Sequence, residues 1–320
     1  QAHQLLVDEK IVNWGSVVAM VVADTKLHAQ EAADKVKLEI EQLPEYMNYL
    51  DAVMPDAMRI HPTMDNVFAF QPLLKGDADK VPEMIDNAPY TVEGSFYSSR
   101  EPHMSIEGDT VQAYYDEDGK LCVQCKTMTL YFDRDDIAEA TGIPVEDIRV
   151  IENPTGGSFG WAMNAGSYAL CAIACKVTQM PVALSMYYSE FMALSGKRSP
   201  CYLNGRLSCD KDGKILAGEF DAGLDHGFDP ALGDDKLIKI ARFMFFPYNV
   251  PHALGLARAA MTNHAFGTAY RGYGAPQAYT CGEALIDMLA EKIGMDPFDF
   301  RYKNIARKGQ TNINSVEFLQ

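Results

Sequence analysis

Hydrophobic positions along this chain change their period from stretch to stretch, and each change predicts an element. Residues 16–24 form a short, almost wholly apolar run, as in a buried strand. Thr25 can cap a following helix whose inner face would hold Leu27, Ala29, Ala32, Ala33 and Val36. Residues 36–41 then alternate with period two up to Pro44, predicting a second strand and a small β-α-β unit without a glycine-rich turn. Residues 45–89 have weak periodicity and prolines at 55, 62, 72, 82 and 89, which predicts a long connecting segment.

From Tyr90 the pattern sharpens. Residues 90–98 and 110–115 alternate as strands, and Asp116 to Gly119 turn the second into a hairpin ending near Met128. A helix capped by Asp133 or Asp135 should run to Ala140 and stop at Gly142 and Pro144. Residues 147–152 are extended, and 165–177 are apolar on most faces, predicting a buried helix. Strands follow at 181–187 and 202–209, with a turn over 209–214. A long amphipathic helix over 276–293 closes at Gly294. The class is α+β in two domains, divided as 1–89 and 90–320.

Composition narrows the class of protein. With 320 residues, 48% hydrophobic and 22% charged, the chain predicts an ordered, soluble fold. A net charge of −16 argues against a nucleic-acid backbone or an anionic membrane surface as partner. No apolar run approaches the ~20 residues of a membrane span. Seven cysteines, an odd number, predict thiols rather than a disulfide framework. Cys122 and Cys125 form a C-x-x-C inside a strand pattern, without the second pair that a zinc site requires. The start at Gln1 without Met, and an end at Gln320 without a closing element, suggest a piece of a longer polypeptide.

Candidate chemistry lies in three segments. Gly156, Gly157, Ser158, Phe159 and Gly160 form a glycine-rich loop between an extended run and a helix, offering backbone N–H groups to an anion. The segment 267–277 repeats the design, with Arg271 among glycines as a fixed cation for a phosphate or metal-oxo oxygen. Glu101, His103 and Glu107 fall on one face at strand spacing, although Pro102 disturbs it. They read as groups that buttress a site by hydrogen bonding rather than as metal ligands.

Taken together these segments resemble the xanthine oxidase family of molybdenum hydroxylases. That family carries, in this order, a Gln/Glu-x-His-x-x-x-Glu run, a Gly-Gly-x-Phe-Gly loop and a Phe/Tyr-Arg-Gly-Phe/Tyr-Gly-x-Pro-Gln loop. Here they stand as Glu101 to Glu107, Gly156 to Gly160 and Tyr270 to Gln277. Asp296 to Asn304 resembles the family's Asp-Pro-x-x-x-Arg-x-x-Asn helix. The resemblance implies the end of a hammerhead-like domain followed by the first part of the molybdenum-cofactor-binding domain. It implies a molybdenum–molybdopterin cofactor, in its cytosine dinucleotide form, held by Gly156, Gly157, Ser158, Phe159, Gly160, Arg271, Gly272 and Gln277, with no protein side chain on the metal. Backbone N–H groups at Phe159 and Arg271 would steady the metal's oxygen ligands, and Glu101 and His103 would support them from behind. Phe159, Met163 and Tyr273 would line the substrate pocket.

Departures from the pattern select a branch. Met163 stands where many members have a Glu that orients a purine, and Gly272 where carbon monoxide dehydrogenases have Cys. Both point to oxidation of aldehydes to carboxylic acids with water as oxygen source. A purine- or nicotinate-type hydroxylase and a non-catalytic scaffold are the alternatives. The resemblance also implies a catalytic Glu, [2Fe-2S] clusters and the rest of the molybdenum domain on parts outside this chain, a homodimer, and a cytoplasmic or periplasmic location.

Overall fold

A computed structural model describes residues 5–164 and 166–317 of the chain. Its contacts define two compact units, each assembled from several stretches: 1–45, 102–198 and 263–271 in the first, and 46–101, 199–262 and 272–320 in the second. The secondary structure is mixed helix and strand, as the sequence patterns predict.

The first unit is built on a four-stranded sheet in the order Ile148–Glu152, Leu121–Cys125, Thr110–Tyr115, Val182–Ser185. The hairpin turn forms where the acidic run and glycine stand. Asp116 Oδ1 accepts the N–H groups of Asp118 (3.0 Å) and Lys120 (2.9 Å), while Gly119 takes φ +77°. The Leu130–Thr141 helix crosses over to lay 148–152 parallel to 121–125. Thr129 occupies its N-cap position and Gly142 closes it in the left-handed conformation. Asp133, expected as a cap, is instead buried in the first turn and bonded to Thr127 and Thr129. The Gly166–Thr178 helix buries eight of its 13 residues, and Tyr168, Ala169 and Ala172 pack with Val111, Leu121 and Val123. Ala165, expected to start that helix, lies outside the described residues.

The β-α-β unit near the start does not form. Thr25 does cap a helix, its Oγ1 accepting from His28 N at 3.1 Å, but that helix (Lys26–Ala33) buries no residue. Neither 16–24 nor 36–41 is a strand, and Leu38 and Ile40 are exposed. A strand pattern makes a strand only when a neighbour takes its hydrogen bonds in a ladder, and here a single bond, from Val7 N to Val17 O at 2.8 Å, does not build one.

The second unit is built on a five-stranded sheet in the order Val67–Lys75, His252–Met261, Ile215–Gly227, Cys201–Cys209, Tyr90–Ser98. Only the 215–227 and 252–261 pair is parallel. Helices Gly233–Phe243 and Ala275–Lys292 supply Leu237, Ile240, Leu285 and Leu289 to a core with Leu203, Leu207, Leu224 and Ala257. The segment 45–89 is not merely connecting, because it holds the 67–75 strand. Pro72 disguised that strand, and it is tolerated because the strand lies at a sheet edge, where a missing N–H breaks no interior ladder.

The Asp296 to Asn304 motif has a structural role here. Asp296 Oδ1 caps the Pro297–Asn304 helix by accepting from Phe298 N at 2.8 Å. Arg301 pairs with Glu283 and Asp287. Asn304 Oδ1 accepts from Ile215 N at 2.9 Å while its amide donates to Gly213 O. All seven cysteines are buried and free, and Cys122 and Cys125 sit in strand.

Candidate cofactor site

In the first unit the glycine loop is held by groups of its own chain. Glu107 Oε2 accepts the N–H groups of Gly156 (2.5 Å) and Gly157 (2.9 Å), so the anion that these amides bind is internal. Ser158 Oγ accepts from Gly160 N (3.2 Å) and Ala162 N (2.8 Å), tightening the short 161–163 turn. Phe159 sits between them at φ +55°, a left-handed conformation that an aromatic residue adopts only when its surroundings over-determine it. Its N–H donates to nothing among the described residues. Its ring is 48% exposed, as is Met163 at 41%, so both present apolar surface beside a polar loop.

The close backbone approach falls at Gly160 rather than Gly157. Gly160 has φ +114°, and a Cβ there would meet Ala269 O at 2.5 Å. A Cβ on Gly157 would lie 3.6 Å from Ser105, an ordinary contact. The approach at Gly160 joins the first loop to the start of the second. Arg271 N donates to Phe159 O at 2.9 Å, so the Arg271 N–H, expected to serve a ligand, is already spent. Arg198, buried and stacked 4.0 Å over the Tyr270 ring, donates to Arg271 O at 2.9 Å. With its main chain held on both sides, Arg271 is exposed, and its guanidinium pairs with no carboxylate among the described residues.

His103 and Glu101 do not share a face. His103 is buried, its Nε2 donating to Ala269 O at 2.8 Å and its ring 4.5 Å from that of Tyr270. Burial holds its pKa down at about 4, so it is a neutral imidazole. Glu101 is exposed, at the end of a stretch belonging to the second unit. Met104 takes φ +46°, which breaks the strand spacing between His103 and Glu107. Among the described residues no group of three His, Cys, Asp or Glu side chains could hold a metal ion.

The last stretch of the second unit begins at Gly272. Gly272 (φ +93°) and Gly274 (φ +95°) flank Tyr273, itself at φ +43°. Tyr273 hydroxyl donates to Leu232 O at 3.3 Å, and the buried Lys236 ammonium lies 5.8 Å from its ring centre. Lys236 donates to Ser199 Oγ (3.2 Å), which lies 3.0 Å from His226 Nδ1, a residue that no sequence motif marks. Burial, then the neighbouring Lys236, hold the His226 pKa down at about 3. Gln277 is 1% exposed, with Nε2 donating to Ser199 O at 3.0 Å while Oε1 has no partner. A buried acceptor left open fits a ligand that carries hydrogen-bond donors.

In the first unit the Phe159 N–H and the Arg271 guanidinium stand open, and in the second the Gln277 carbonyl oxygen does. A donor and a cation suit an anionic group and an acceptor suits a ring N–H, and a phosphorylated pterin carries both.

The fold and these loops are those of a molybdopterin cofactor-binding domain: the model of that family matches residues 60–305. The chain belongs to this family and lies within the xanthine oxidase family of molybdenum hydroxylases. It is 42% identical over 98% of its length to an aldehyde oxidoreductase of Megalodesulfovibrio gigas, covering 34% of that protein. It is 31% identical to the nicotinate dehydrogenase large molybdopterin subunit of Eubacterium barkeri, over 98% of this chain and 75% of that subunit. Among solved structures, the aldehyde oxidoreductase from Desulfovibrio desulfuricans ATCC 27774 superposes with a TM-score of 0.94 at 38% identity, over 98% of this chain and 34% of that one. The chain therefore spans about a third of the length of the aldehyde oxidoreductases it matches.

Proposed function

We propose that the protein carrying this chain is a molybdopterin-dependent oxidoreductase that converts aldehydes to carboxylic acids, with water as oxygen source. The observation that carries the choice of substrate is Met163, 41% exposed beside Phe159, where a heterocycle-oxidising site needs a hydrogen-bonding side chain. Arg271 and the Phe159 N–H would hold anionic parts of the cofactor, and Gln277 would accept from its ring N–H groups. Gly156, Gly157, Ser158, Gly160 and Gly272 contribute by shaping the main chain around it. Bound there, the cofactor would supply the two-electron oxidation, while the chain supplies orientation and exclusion of water. Phe159 and Tyr273 would offer ring faces to an aldehyde, and His103, bonded to Ala269, would steady the second loop.

The cofactor is proposed in its cytosine dinucleotide form. The catalytic Glu, the [2Fe-2S] clusters and the rest of the molybdenum domain are proposed on parts outside residues 1–320, in a homodimeric, cytoplasmic or periplasmic protein. No helix among the described residues is long and apolar enough to cross a membrane. The hammerhead-like origin of the first residues and the division at residue 89 also stay proposals.

Turnover of small aldehydes against hypoxanthine and nicotinate by the natural full-length protein tests the reading. A site lacking a needed polar partner loses discrimination of about 10⁴-fold, so kcat/KM should favour aldehydes by a wide margin. Comparable values for the two classes would overturn the assignment.

A further inference from the structure

Beneath the first glycine loop lies a buried charge that no motif marks. Lys126 is 2% exposed, and its Nζ donates to Glu107 O at 3.0 Å and to Gly157 O at 3.4 Å. Asp109, also buried, places Oδ1 3.7 Å from that ammonium. Asp109 in turn accepts from Trp161 Nε1 (2.8 Å) and Ser167 Oγ (3.0 Å), and the Tyr168 hydroxyl bonds the carbonyl of Lys126 itself. A buried ion pair is no stronger a packing element than apolar side chains of the same volume, so its value lies in the direction of its bonds. Here those bonds reach the main chain on both sides of the loop. One goes to Glu107, whose carboxylate holds the Gly156 and Gly157 amides, and one to Gly157 itself.

We propose that Lys126 is a positioning residue for the first loop. Its ammonium fixes the Glu107 and Gly157 carbonyls so that Glu107 stays on the two glycine amides and Phe159 stays turned with its N–H open. Asp109 is the countercharge, tied through Trp161 to the far end of the same loop. The expected consequence for cofactor content rests on the functional reading above, whereas the effect on loop geometry does not.

The test is hydrogen exchange over residues 153–164 of the natural full-length protein, with unfolding midpoint and molybdenum and pterin content measured on the same samples. Lys126→Met alone leaves Asp109 uncompensated and is expected to weaken the whole fold. The double variant Lys126→Met/Asp109→Asn removes both charges while the Asn oxygen still accepts from Trp161. It should unfold close to wild type, exchange the Gly156 and Gly157 amides about tenfold faster, and carry less cofactor. Wild-type exchange at those two amides, or faster exchange spread evenly through the unit, would overturn the assignment, because a merely structural role moves everything together. If the wild-type protein carries no molybdopterin, the functional reading fails and the exchange result still judges Lys126.

Discussion

The two glycine loops share a signature and differ in what holds them. Each places one aromatic residue at positive φ beside glycines at positive φ: Phe159 with Gly160 in the first unit, Tyr273 with Gly272 and Gly274 in the second. Such a residue costs of order 1–3 kcal/mol, and each loop offsets that cost differently. The first uses charge, with the Glu107 carboxylate on two amides and a buried ammonium below. The second also has a buried ammonium, Lys236 facing the Tyr273 ring, but adds a helix beginning at Ala275, whose Pro276 sits in the first turn. A loop held by charge depends on ionisation and on each donor's aim. One held by a helix start tolerates more, because a ring or a side chain can shift.

The largest expected effect that tests this contrast is Gly160→Ala. Its Cβ would strike the Ala269 carbonyl, and φ +114° is hostile to any side chain. Backbone strain and overpacking together should cost about 4 kcal/mol, read by denaturant unfolding. Next comes pH. His103 is held neutral with a folded pKa of about 4, so its contribution is complete above its ordinary value near 6.5 and is lost as pH falls towards 4. The loss is about 3 kcal/mol, and His103→Gln should flatten that part of the stability curve while leaving the share from His226, which extends to about pH 3. If His103→Gln leaves the change in stability between pH 6.5 and 4 the same as in the wild type, the neutral-histidine account fails.

Gly272→Ala should cost less than Gly160→Ala, about 2 kcal/mol, since the new Cβ meets the Pro276 ring at 2.6 Å rather than a backbone carbonyl. Equal costs would remove the distinction between the loops. Gly157→Ala has room and an unstrained backbone, so a change under about 1 kcal/mol is expected. Smallest is Arg271→Ala, where an exposed guanidinium is lost and stability should stay within about 0.5 kcal/mol. Molybdenum and pterin content should nevertheless fall. Wild-type cofactor content in that variant would remove Arg271 from the site.

How much of this was legible beforehand follows the range of the forces involved. Local signals worked where the answer is local. The Asp116 to Gly119 turn, the Gly142 stop, the helix over 166–178 and the Thr25 cap all depend on neighbours within a few residues. The order of glycines, Arg271 and Gln277 was readable for the same reason. Pattern failed where a partner strand decides. Residues 16–24 and 36–41 carry strand patterns but form no strand among the described residues, whereas 67–75 is a strand despite Pro72 because an edge tolerates it.

The sequence alone determined where this chain bends, that the helix over 166–178 is buried, and that a cation and two glycine loops recur in an order shared with molybdenum hydroxylases. Only the tertiary structure decided how the polar groups are spent. Glu107 lies 49 residues from Gly156, and Asp109 lies 52 from Trp161. Nothing in the spacing of residues so far apart could show that a carboxylate would fill the amides expected to face a ligand. Nor could it show that Arg271 would lose its N–H to Phe159 while keeping its guanidinium open. Hydrogen bonds act over about 3 Å, so their bookkeeping exists only once folding has brought distant residues within reach.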